Sequence, residues 1–110
     1  MAYVPDRGDA VWLDFEPQLG HEQRGRCPAV VLSSAAYNLK VGLLLACPVT
    51  GQVKGYPFEV ELPAGLPISG VILSDQVKSL DWRARRAELI CRLPRSATDA
   101  VLGLLGALLK

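Results

Sequence analysis

Three polar segments of the sequence hold the side chains that could take part in chemistry. The first, residues 19–26, brings together His21, Glu22, Arg24 and Arg26 in a run that also contains two glycines. Glycine lets the backbone approach a ligand closely, and loops on rigid β scaffolds commonly carry binding or catalytic groups. A solvated surface loop has the same composition, so this segment is either a functional loop or ordinary surface.

The second segment, residues 82–86, combines an aromatic ring with three arginines. If this stretch is extended, Arg83 and Arg85 share one face and Trp82 offers a flat apolar surface beside them. Such a combination suits single-stranded nucleic acid, whose bases stack on aromatic rings and whose phosphates bind guanidinium groups. An edge strand that uses charge to prevent aggregation has the same sequence pattern, so both interpretations remain open.

The third segment, residues 50–57, offers Thr50 as a hydroxyl donor and Lys54 as a cation. It does not match the GxxxxGK[ST] phosphate loop, and the sequence also lacks the GxSxG, HExxH and CxxC motifs. One histidine and three cysteines do not suffice for the usual zinc sites or for a disulfide scaffold. We therefore expect no metal or other cofactor.

The composition limits the class of protein. The 110 residues suffice for one small domain, 1–110, and half of them are hydrophobic. Because the formal net charge is only +1, a nucleic-acid site must come from local placement of charge. The N-terminus has no secretory signal, and the most apolar stretch, residues 97–109, is shorter than the roughly 20 residues that span a bilayer. We expect a soluble cytoplasmic protein without membrane contact.

Short apolar runs separated by proline and glycine fill the first ninety residues and predict a mainly β fold. Pro17 and Pro48 are expected to end two of the strands. Residues 34–39 form either a helical turn or a plain connection. Several short strands without a strand–helix rhythm are typical of a compact barrel or sandwich. The predicted strands cover residues 9–15, 28–33, 41–48, 56–62, 70–75, 76–80 and 86–93.

The last part of the sequence, residues 97–109, predicts a helix of about four turns with Ser96 as its N-cap. Its apolar side chains cover nearly the whole circumference, whereas a surface helix needs only a stripe. We therefore expect burial on two sides, by the β structure and by a second subunit. A frayed apolar terminus is the alternative.

Several of these segments, taken in order, resemble the MazF/PemK family of toxin endoribonucleases. The likeness runs through about the first 85 residues, and the last quarter is similar in helix pattern only. The matching stretches are Tyr3-Val-Pro-Asp6, Trp12 with Asp14-Phe15, Glu22-Gln23, Pro28-Ala-Val-Val-Leu-Ser33, Lys54-Gly-Tyr-Pro-Phe-Glu-Val60, and Asp75-Gln-Val-Lys-Ser79 with Trp82-Arg-Ala-Arg85.

The resemblance implies an SH3-like small β-barrel of the CcdB/PemK type, with a C-terminal α-helix, that works as a homodimer. It implies sequence-specific cleavage of single-stranded mRNA without a metal. The ribose 2′-OH attacks the adjacent phosphate and leaves a 2′,3′-cyclic phosphate and a 5′-OH. It also implies a small MazE-like antitoxin that lays an acidic, initially disordered tail along the RNA groove.

The resemblance further implies catalytic residues, with one departure. Thr50 stands at the position of the family's active-site threonine and is expected to donate to a phosphate oxygen. Glu22 is the candidate base. The family's arginine before the proline is replaced by Cys27, and a thiol cannot stabilise a phosphorane as a guanidinium does. Arg26 is the hypothetical substitute if residue 26 still belongs to the loop, because in a strand it would point to the other face.

The remaining candidates would bind substrate. Lys54, Arg24, Arg83 and Arg85 are expected to contact the RNA backbone. A non-catalytic module of the same fold, which inhibits a protein target as CcdB does or binds RNA without cutting, is the alternative function, and the cysteine before Pro28 favours it. Four residues keep two open interpretations: His21, as general acid or surface residue, Asn38, as reader of a base edge or cap of a turn, and Trp12 and Phe15, as core or stacking platforms.

Overall fold

The structure, a computed structural model, describes residues 2–15 and 25–110. Three candidates from the first polar segment, His21, Glu22 and Arg24, therefore lie outside the described residues. Within the described residues there are seven strands and two helices. In chain order they are β1 (Asp9–Phe15), β2 (Gly25–Val31), α1 (Ala35–Val41), β3 (Leu44–Thr50), β4 (Glu59–Glu61), β5 (Val71–Leu73), β6 (Lys78–Leu80), β7 (Glu88–Arg92) and α2 (Arg95–Leu108).

The strands form one connected antiparallel sheet in the order β4-β5-β3-β2-β1-β7, with β6 paired to β3. One edge of β3 serves two partners, since Leu44, Leu45 and Ala46 pair with β6 while Val49 and Thr50 pair with β5. The predicted mainly β fold with a C-terminal helix is confirmed. The strand at the centre of the sheet is the one that ends at Thr50.

Alternation along the central strands divides the core between the two faces of the sheet. On one face the apolar residues pack against α2, and on the other they pack around Trp82. Successive side chains of a strand point to opposite faces, so neighbours in the chain enter different clusters. The first cluster includes Ala10, Val30, Cys47, Ile72 and Val101, and the second includes Val11, Leu13, Ala29, Val31 and Leu44.

Of the seven strands in the described residues only β1 has the predicted bounds, and two of the differences concern residues 26 and 48. Residues 25 and 26, predicted as loop, already belong to β2, and Arg26 pairs with Asp14 of β1. Pro48 does not end its strand, because β3 continues to Thr50. Pro48 lies between the stretch of β3 that pairs with β6 and the stretch that pairs with β5, where a residue without an N–H is tolerated.

The segment predicted as a helical turn or a plain connection is a helix, α1. The Ser34 hydroxyl caps it by accepting from the Tyr37 N–H at 3.3 Å. Gly42 ends it in the left-handed conformation, with φ of 82°, and donates its N–H to the Asn38 carbonyl. Both ends therefore carry the residue types that stop and start helices.

The C-terminal helix begins one residue before the predicted cap. Pro94 is the N-cap, and among the described residues no side chain caps this end, so the prediction of Ser96 is wrong. Ala97 and Val101 are buried against the sheet, whereas Leu108 and Leu109 are 47% and 77% exposed. Burial of the outer face by a second subunit stays a prediction. In residues 2–15 and 25–110 neither helix has the length and apolar character needed to cross a membrane.

A buried carboxylate ties the N-terminal segment to the sheet. Asp9 is 1% exposed, and its Oδ2 accepts a 2.5 Å hydrogen bond from the Tyr3 hydroxyl and one of 3.0 Å from the Asp6 N–H. Arg92 Nε lies 3.2 Å from its Oδ1. Burial, followed by the hydrogen bond to the Asp9 carboxylate, raises the pKa of Tyr3 far above its ordinary value.

This raised pKa predicts a loss of stability in alkali. Because the folded protein holds the Tyr3 proton more tightly than the unfolded chain, the stabilisation is complete below about pH 10 and falls as the pH rises further. We expect the urea midpoint of the wild type to fall more steeply above pH 10 than that of Tyr3→Phe. The exposed Tyr56 supplies the control, since Tyr56→Phe should follow the wild type. Parallel curves for wild type and Tyr3→Phe would contradict the assignment.

Candidate active site

Thr50 lies at the end of the sheet where β1 ends and β2 begins. It is the last residue of β3, while β1 ends at Phe15 and β2 begins at Gly25. Cys27 and Thr50 both lie just beyond the β2–β3 pairing, which runs from Val31 opposite Ala46 to Ala29 opposite Pro48. Each is two residues from a member of the last pair, so alternation along the strands puts both on the same face of the sheet.

The Thr50 hydroxyl is held in place by the turn that follows it. Its Oγ1 accepts a 3.1 Å hydrogen bond from the Gln52 N–H, and the residue is half-buried. A hydroxyl that accepts one bond still has its own proton to donate. Thr50 can therefore offer an O–H to an oxygen atom of a ligand at this end of the sheet.

A glycine on the adjacent strand fixes the backbone of Thr50. Gly70 has φ of 118° and precedes Val71, the partner of Thr50 in β5. A Cβ on Gly70 would overlap the Thr50 carbonyl oxygen and lie 3.1 Å from Gly51 Cα. Only glycine combines this conformation with so close an approach of two backbones. The sequence pattern predicts no role for Gly70 beyond the start of a strand.

Lys54 belongs to an exposed loop that is organised by a carboxylate. Glu59 accepts hydrogen bonds from the N–H of Lys54 at 3.1 Å and the N–H of Gly55 at 2.9 Å. The Lys54 ammonium group lies 6.0 Å from the centroid of the Tyr56 ring. The sequence pattern predicts Glu59 only as a solvated strand residue; it is a positioning residue for the loop that carries the lysine.

Arg26 lies on the face opposite to Cys27 and is bound by acidic partners. Its Nη1 lies 2.5 Å from Asp14 Oδ1, and its Nη2 contacts the Arg86 carbonyl at 2.5 Å and Glu88 at 3.2 Å. The condition on which Arg26 would replace the missing arginine, a loop at residue 26, is not met. A role near Thr50 requires the guanidinium to leave these partners.

Asp14 is the centre of this ion-pair cluster. Arg86 Nε donates to its Oδ2 at 2.5 Å, while Arg26 holds the other oxygen. The hydrogen bond from Arg86, with a further one from Arg26, lowers the pKa of Asp14 below its usual value. The cluster of Asp14, Arg26, Arg86 and Glu88, which we call the Asp14 cluster, joins β1, β2 and the start of β7. Neither Asp14 nor Arg86 was predicted as a site residue.

The basic segment at residues 82–86 is a turn and is not extended. Asp81 Oδ1 accepts from the N–H of Arg83 at 3.1 Å and of Ala84 at 2.9 Å, and Arg86 has a positive φ of 53°. The condition on which Arg83 and Arg85 would share one face, an extended segment, is therefore not met. Arg85 instead reaches β1, where its Nη1 donates to the Asp14 carbonyl at 3.2 Å.

Trp82 is a core residue and offers no stacking surface. Its side chain is 6% exposed, and its indole N–H donates to the Asn38 carbonyl at 2.9 Å. The exposed Arg83 lies over the ring, with its Cζ 4.4 Å from the centroid. The cation stacks on the tryptophan from outside, and this contact replaces the predicted contact with a base.

Asn38 is an interior hydrogen-bonding residue, which corrects its assignment as a reader of bases. It has no exposed surface, and its amide donates to the carbonyls of Pro5 at 2.8 Å and Ser33 at 3.1 Å. Its Oδ1 accepts from the Ser33 hydroxyl at 2.6 Å. A nucleobase therefore has no edge of Asn38 to bind, and the residue joins the N-terminal segment to α1.

Comparison with known proteins gives the same architecture. A family model described as PemK-like, MazF-like toxin of type II toxin-antitoxin system matches residues 6–109. The crystal structure of MazE-MazF (form II) from Deinococcus radiodurans superposes with a TM-score of 0.93 at 60% identity, covering 98% of this chain and 97% of that one. The structure thus defines a small toxin of the kind found with a partner antitoxin.

Two curated relatives from Escherichia coli are similar in sequence. The endoribonuclease toxin MazF of strain K12 is 59% identical over 85 residues, which are 77% of this chain and 76% of that protein. The endoribonuclease PemK is 32% identical over 108 residues, covering 94% and 81%. The chain belongs to the PemK-like, MazF-like toxin family.

The contact between Gly70 and Thr50 generates a stability prediction. Gly70→Ala should lower the free energy of unfolding by about 3 kcal/mol, because the new Cβ meets the Thr50 carbonyl in a conformation that alanine disfavours. Gly65 has φ of 89°, and a Cβ there would meet no described atom within 4 Å, so Gly65→Ala should cost only about 1 kcal/mol. Urea unfolding measures the free energy of unfolding of both variants. Equal losses of stability would mean that the close approach of Gly70 to Thr50 contributes nothing.

Proposed function

We propose that the chain is a metal-independent, sequence-specific endoribonuclease toxin, an mRNA interferase, that cuts single-stranded RNA at the Thr50 end of the sheet. Membership of the toxin family and the names of the relatives, endoribonucleases, support this proposal. The observation that carries it is the Thr50 hydroxyl, oriented by the Gln52 N–H and followed by a loop that presents Lys54. Hydroxyl and ammonium groups are both donors to phosphate oxygens.

The proposed reaction is an internal transesterification. The ribose 2′-oxygen forms a bond to phosphorus, the bond to the 5′-oxygen breaks, and the products carry a 2′,3′-cyclic phosphate and a 5′-OH. Glu22 takes the proton of the 2′-OH, since carboxylates serve as general bases. Thr50 donates to a non-bridging oxygen, and Lys54 neutralises charge as it develops. His21 is the candidate donor of a proton to the 5′-oxygen, with an ordinary surface histidine as the alternative.

The place of the guanidinium in this site remains a hypothesis. Cys27 lies on the same face of the sheet as Thr50 and cannot supply a cation, whereas Arg26 is engaged in the Asp14 cluster. We keep Arg26 as the proposed substitute. A substrate phosphate is an anion that could compete with Asp14 and Glu88 for its guanidinium, because forked donors bind phosphate and carboxylate alike.

Cations elsewhere on the surface would hold the RNA backbone. Arg83 is exposed over Trp82, and Lys54 is exposed on its loop. Arg85 reaches Asp14 of β1. We propose these three, with Arg24, as backbone contacts, because the net charge is too small for binding by bulk charge.

We also propose a cytoplasmic homodimer that is neutralised by a small MazE-like antitoxin with an acidic C-terminal tail. The apolar residues left exposed on α2, Leu108 and Leu109, support association with a second subunit. The solved complexes of related toxins with MazE support the antitoxin. An acidic tail suits a surface on which Lys54 and Arg83 are exposed.

A non-catalytic toxin of the same fold is the second candidate. The observation that favours it is Cys27, a residue without positive charge on the same face of the sheet as Thr50. Such a protein would inhibit a protein target or bind RNA without cutting it. Fold alone does not distinguish it from a nuclease.

The Thr50 assignment predicts the behaviour of two matched variants. In an assay with single-stranded RNA and excess EDTA, the wild type should cut at discrete sites and leave cyclic-phosphate ends. Thr50→Val, which keeps the shape of the side chain and removes its hydroxyl, should lower turnover about 100-fold. Thr50→Ser retains the hydroxyl and should keep most of the wild-type turnover. RNA of varied sequence left intact by the wild type would instead support the non-catalytic candidate.

The Arg26 hypothesis is tested by three variants. Arg26→Ala should lower turnover at least about tenfold while Cys27→Ala leaves it unchanged, because only the guanidinium stabilises the transition state. Arg86→Ala is the control, since it also removes a partner of Asp14 but is not proposed to reach substrate. Unchanged turnover in Arg26→Ala, or equal losses in Arg26→Ala and Arg86→Ala, would remove Arg26 from the mechanism.

A further inference from the structure

The loop that follows Thr50, residues 51–57, exposes an aromatic ring that the proposed reaction does not use. Tyr56 is 60% exposed, more than any other aromatic side chain that the structure describes. Tyr37 on α1 follows with 41%, and the other described aromatic side chains are buried or partly buried. The sequence pattern predicts Trp82 as the surface on which a base would stack, but the ring that is open to a base is that of Tyr56.

The backbone on both sides of Tyr56 is fixed, and its ring is left uncovered. The Gly55 N–H donates to Glu59 Oε1 at 2.9 Å, and Gly55 has φ of 77°, a conformation that favours glycine. The Tyr56 carbonyl accepts from the Glu59 N–H at 3.1 Å. Pro57 disfavours a helical backbone at the residue before it. A ring held in this way loses little conformational entropy when a flat ligand binds to it.

A cation is presented together with the ring. The Lys54 ammonium group lies 6.0 Å from the centroid of the Tyr56 ring, which is the outer limit of a cation–π contact. Glu59 accepts from the backbone N–H groups of Lys54 and Gly55, and in residues 2–15 and 25–110 no carboxylate lies within ion-pair distance of this ammonium group. The ammonium group can therefore donate to an anion while the ring binds a flat group.

A nucleotide of a single strand has the matching chemistry. Its base is flat and stacks on aromatic side chains, and its phosphate accepts hydrogen bonds from an ammonium group. Stacking does not require a particular base, since every base has a flat face. A tyrosine and a lysine two residues apart on one fixed loop can hold both parts of one nucleotide.

We propose that Tyr56 is a stacking platform for one base of the RNA, with Lys54 on the phosphate next to that base. The proposal rests on the proposed function, because it describes how the strand is held near Thr50. Thr50 and Tyr56 are six residues apart, so the chain between them spans at most about 20 Å. The platform contributes affinity near the site of cleavage and leaves the choice of sequence to other residues.

Binding of a 2′-O-methyl RNA, which cannot be cut by 2′-OH attack, tests the platform. Tyr56→Ala should weaken binding about tenfold, because stacking on the ring is lost. Tyr56→Phe and Tyr56→Trp keep a flat ring and should bind as the wild type does. Tyr37→Ala removes the other exposed tyrosine and serves as the control. Unchanged affinity in Tyr56→Ala, or an equal loss in Tyr37→Ala, would overturn the proposal.

The salt dependence of binding separates stacking from charge. Tyr56→Ala should weaken binding by the same factor at every salt concentration, because the ring releases no counterions. Lys54→Gln should reduce the slope of log K against log salt by about 0.7 units, the value for one phosphate contact on a single strand. If Tyr56→Ala reduced the slope as much as Lys54→Gln does, the ring would act only by placing the ammonium group, and the proposal would be wrong.

A single abasic nucleotide, moved along the 2′-O-methyl RNA, identifies the stacked base. At one position the loss of the base should weaken binding by the wild type about tenfold and leave binding by Tyr56→Ala unchanged, since that variant has no ring to stack on. Equal losses in the two proteins at every position would show that no base depends on Tyr56.

The same measurements separate the platform from the cleavage reaction. A wild type that binds RNA with no contribution from Tyr56 would overturn the platform alone. A wild type that binds no RNA of varied sequence would overturn the platform and the proposed RNA cleavage together. If Tyr56→Ala kept its RNA affinity but bound a short peptide of alternating glutamate and leucine less tightly, the ring would be a docking point for an acidic protein partner, and the proposal would again be overturned.

Discussion

The antiparallel pairing of β2 with β3 is the constraint on which the candidate site depends. Its register puts Cys27 on the same face of the sheet as Thr50 and, because side chains alternate, turns Arg26 to the other face. A shift of one residue would exchange the cysteine and the arginine between the faces. Such a shift is opposed by the core, since it would also move Ala29 and Val31 out of the cluster around Trp82. The chemistry available beside Thr50 is therefore set by packing far from it.

The fold class could be predicted from the sequence because the alternation of apolar and polar residues and the turn residues are local signals. The strand at residues 9–15 has the predicted bounds, and the C-terminal helix differs mainly at its cap. The motifs of the first 85 residues led to the right family. The predicted end of a strand at Pro48 is wrong because a strand can contain a proline where its missing N–H has no partner. Whether that is so at Pro48 depends on the strands that pair with β3 before and after it, which no local pattern contains.

The site was less accessible to sequence reasoning because its organisation depends on contacts between distant residues. Asp14 and Arg86 are 72 positions apart and meet only after β1, β2 and β7 have assembled. The segment that follows Asp81 turns because the Asp81 carboxylate accepts from the Ala84 N–H and because the Trp82 indole donates to the Asn38 carbonyl of α1. The sequence left Asn38 as a reader of a base edge or the cap of a turn, yet its amide donates to carbonyls inside the protein.

The Asp14 cluster also has a consequence for how this scaffold can diverge. The ion pair between Asp14 and Arg26 joins β1 to β2 one residue before β1 ends at Phe15 and one residue after β2 begins at Gly25, and so anchors the two strands to each other there. Length and sequence between the two anchor points can then vary with little strain on the strands, as closure entropy grows only slowly with the number of residues. New substrate preferences could arise there by insertion or exchange while the hydrophobic interior stays the same.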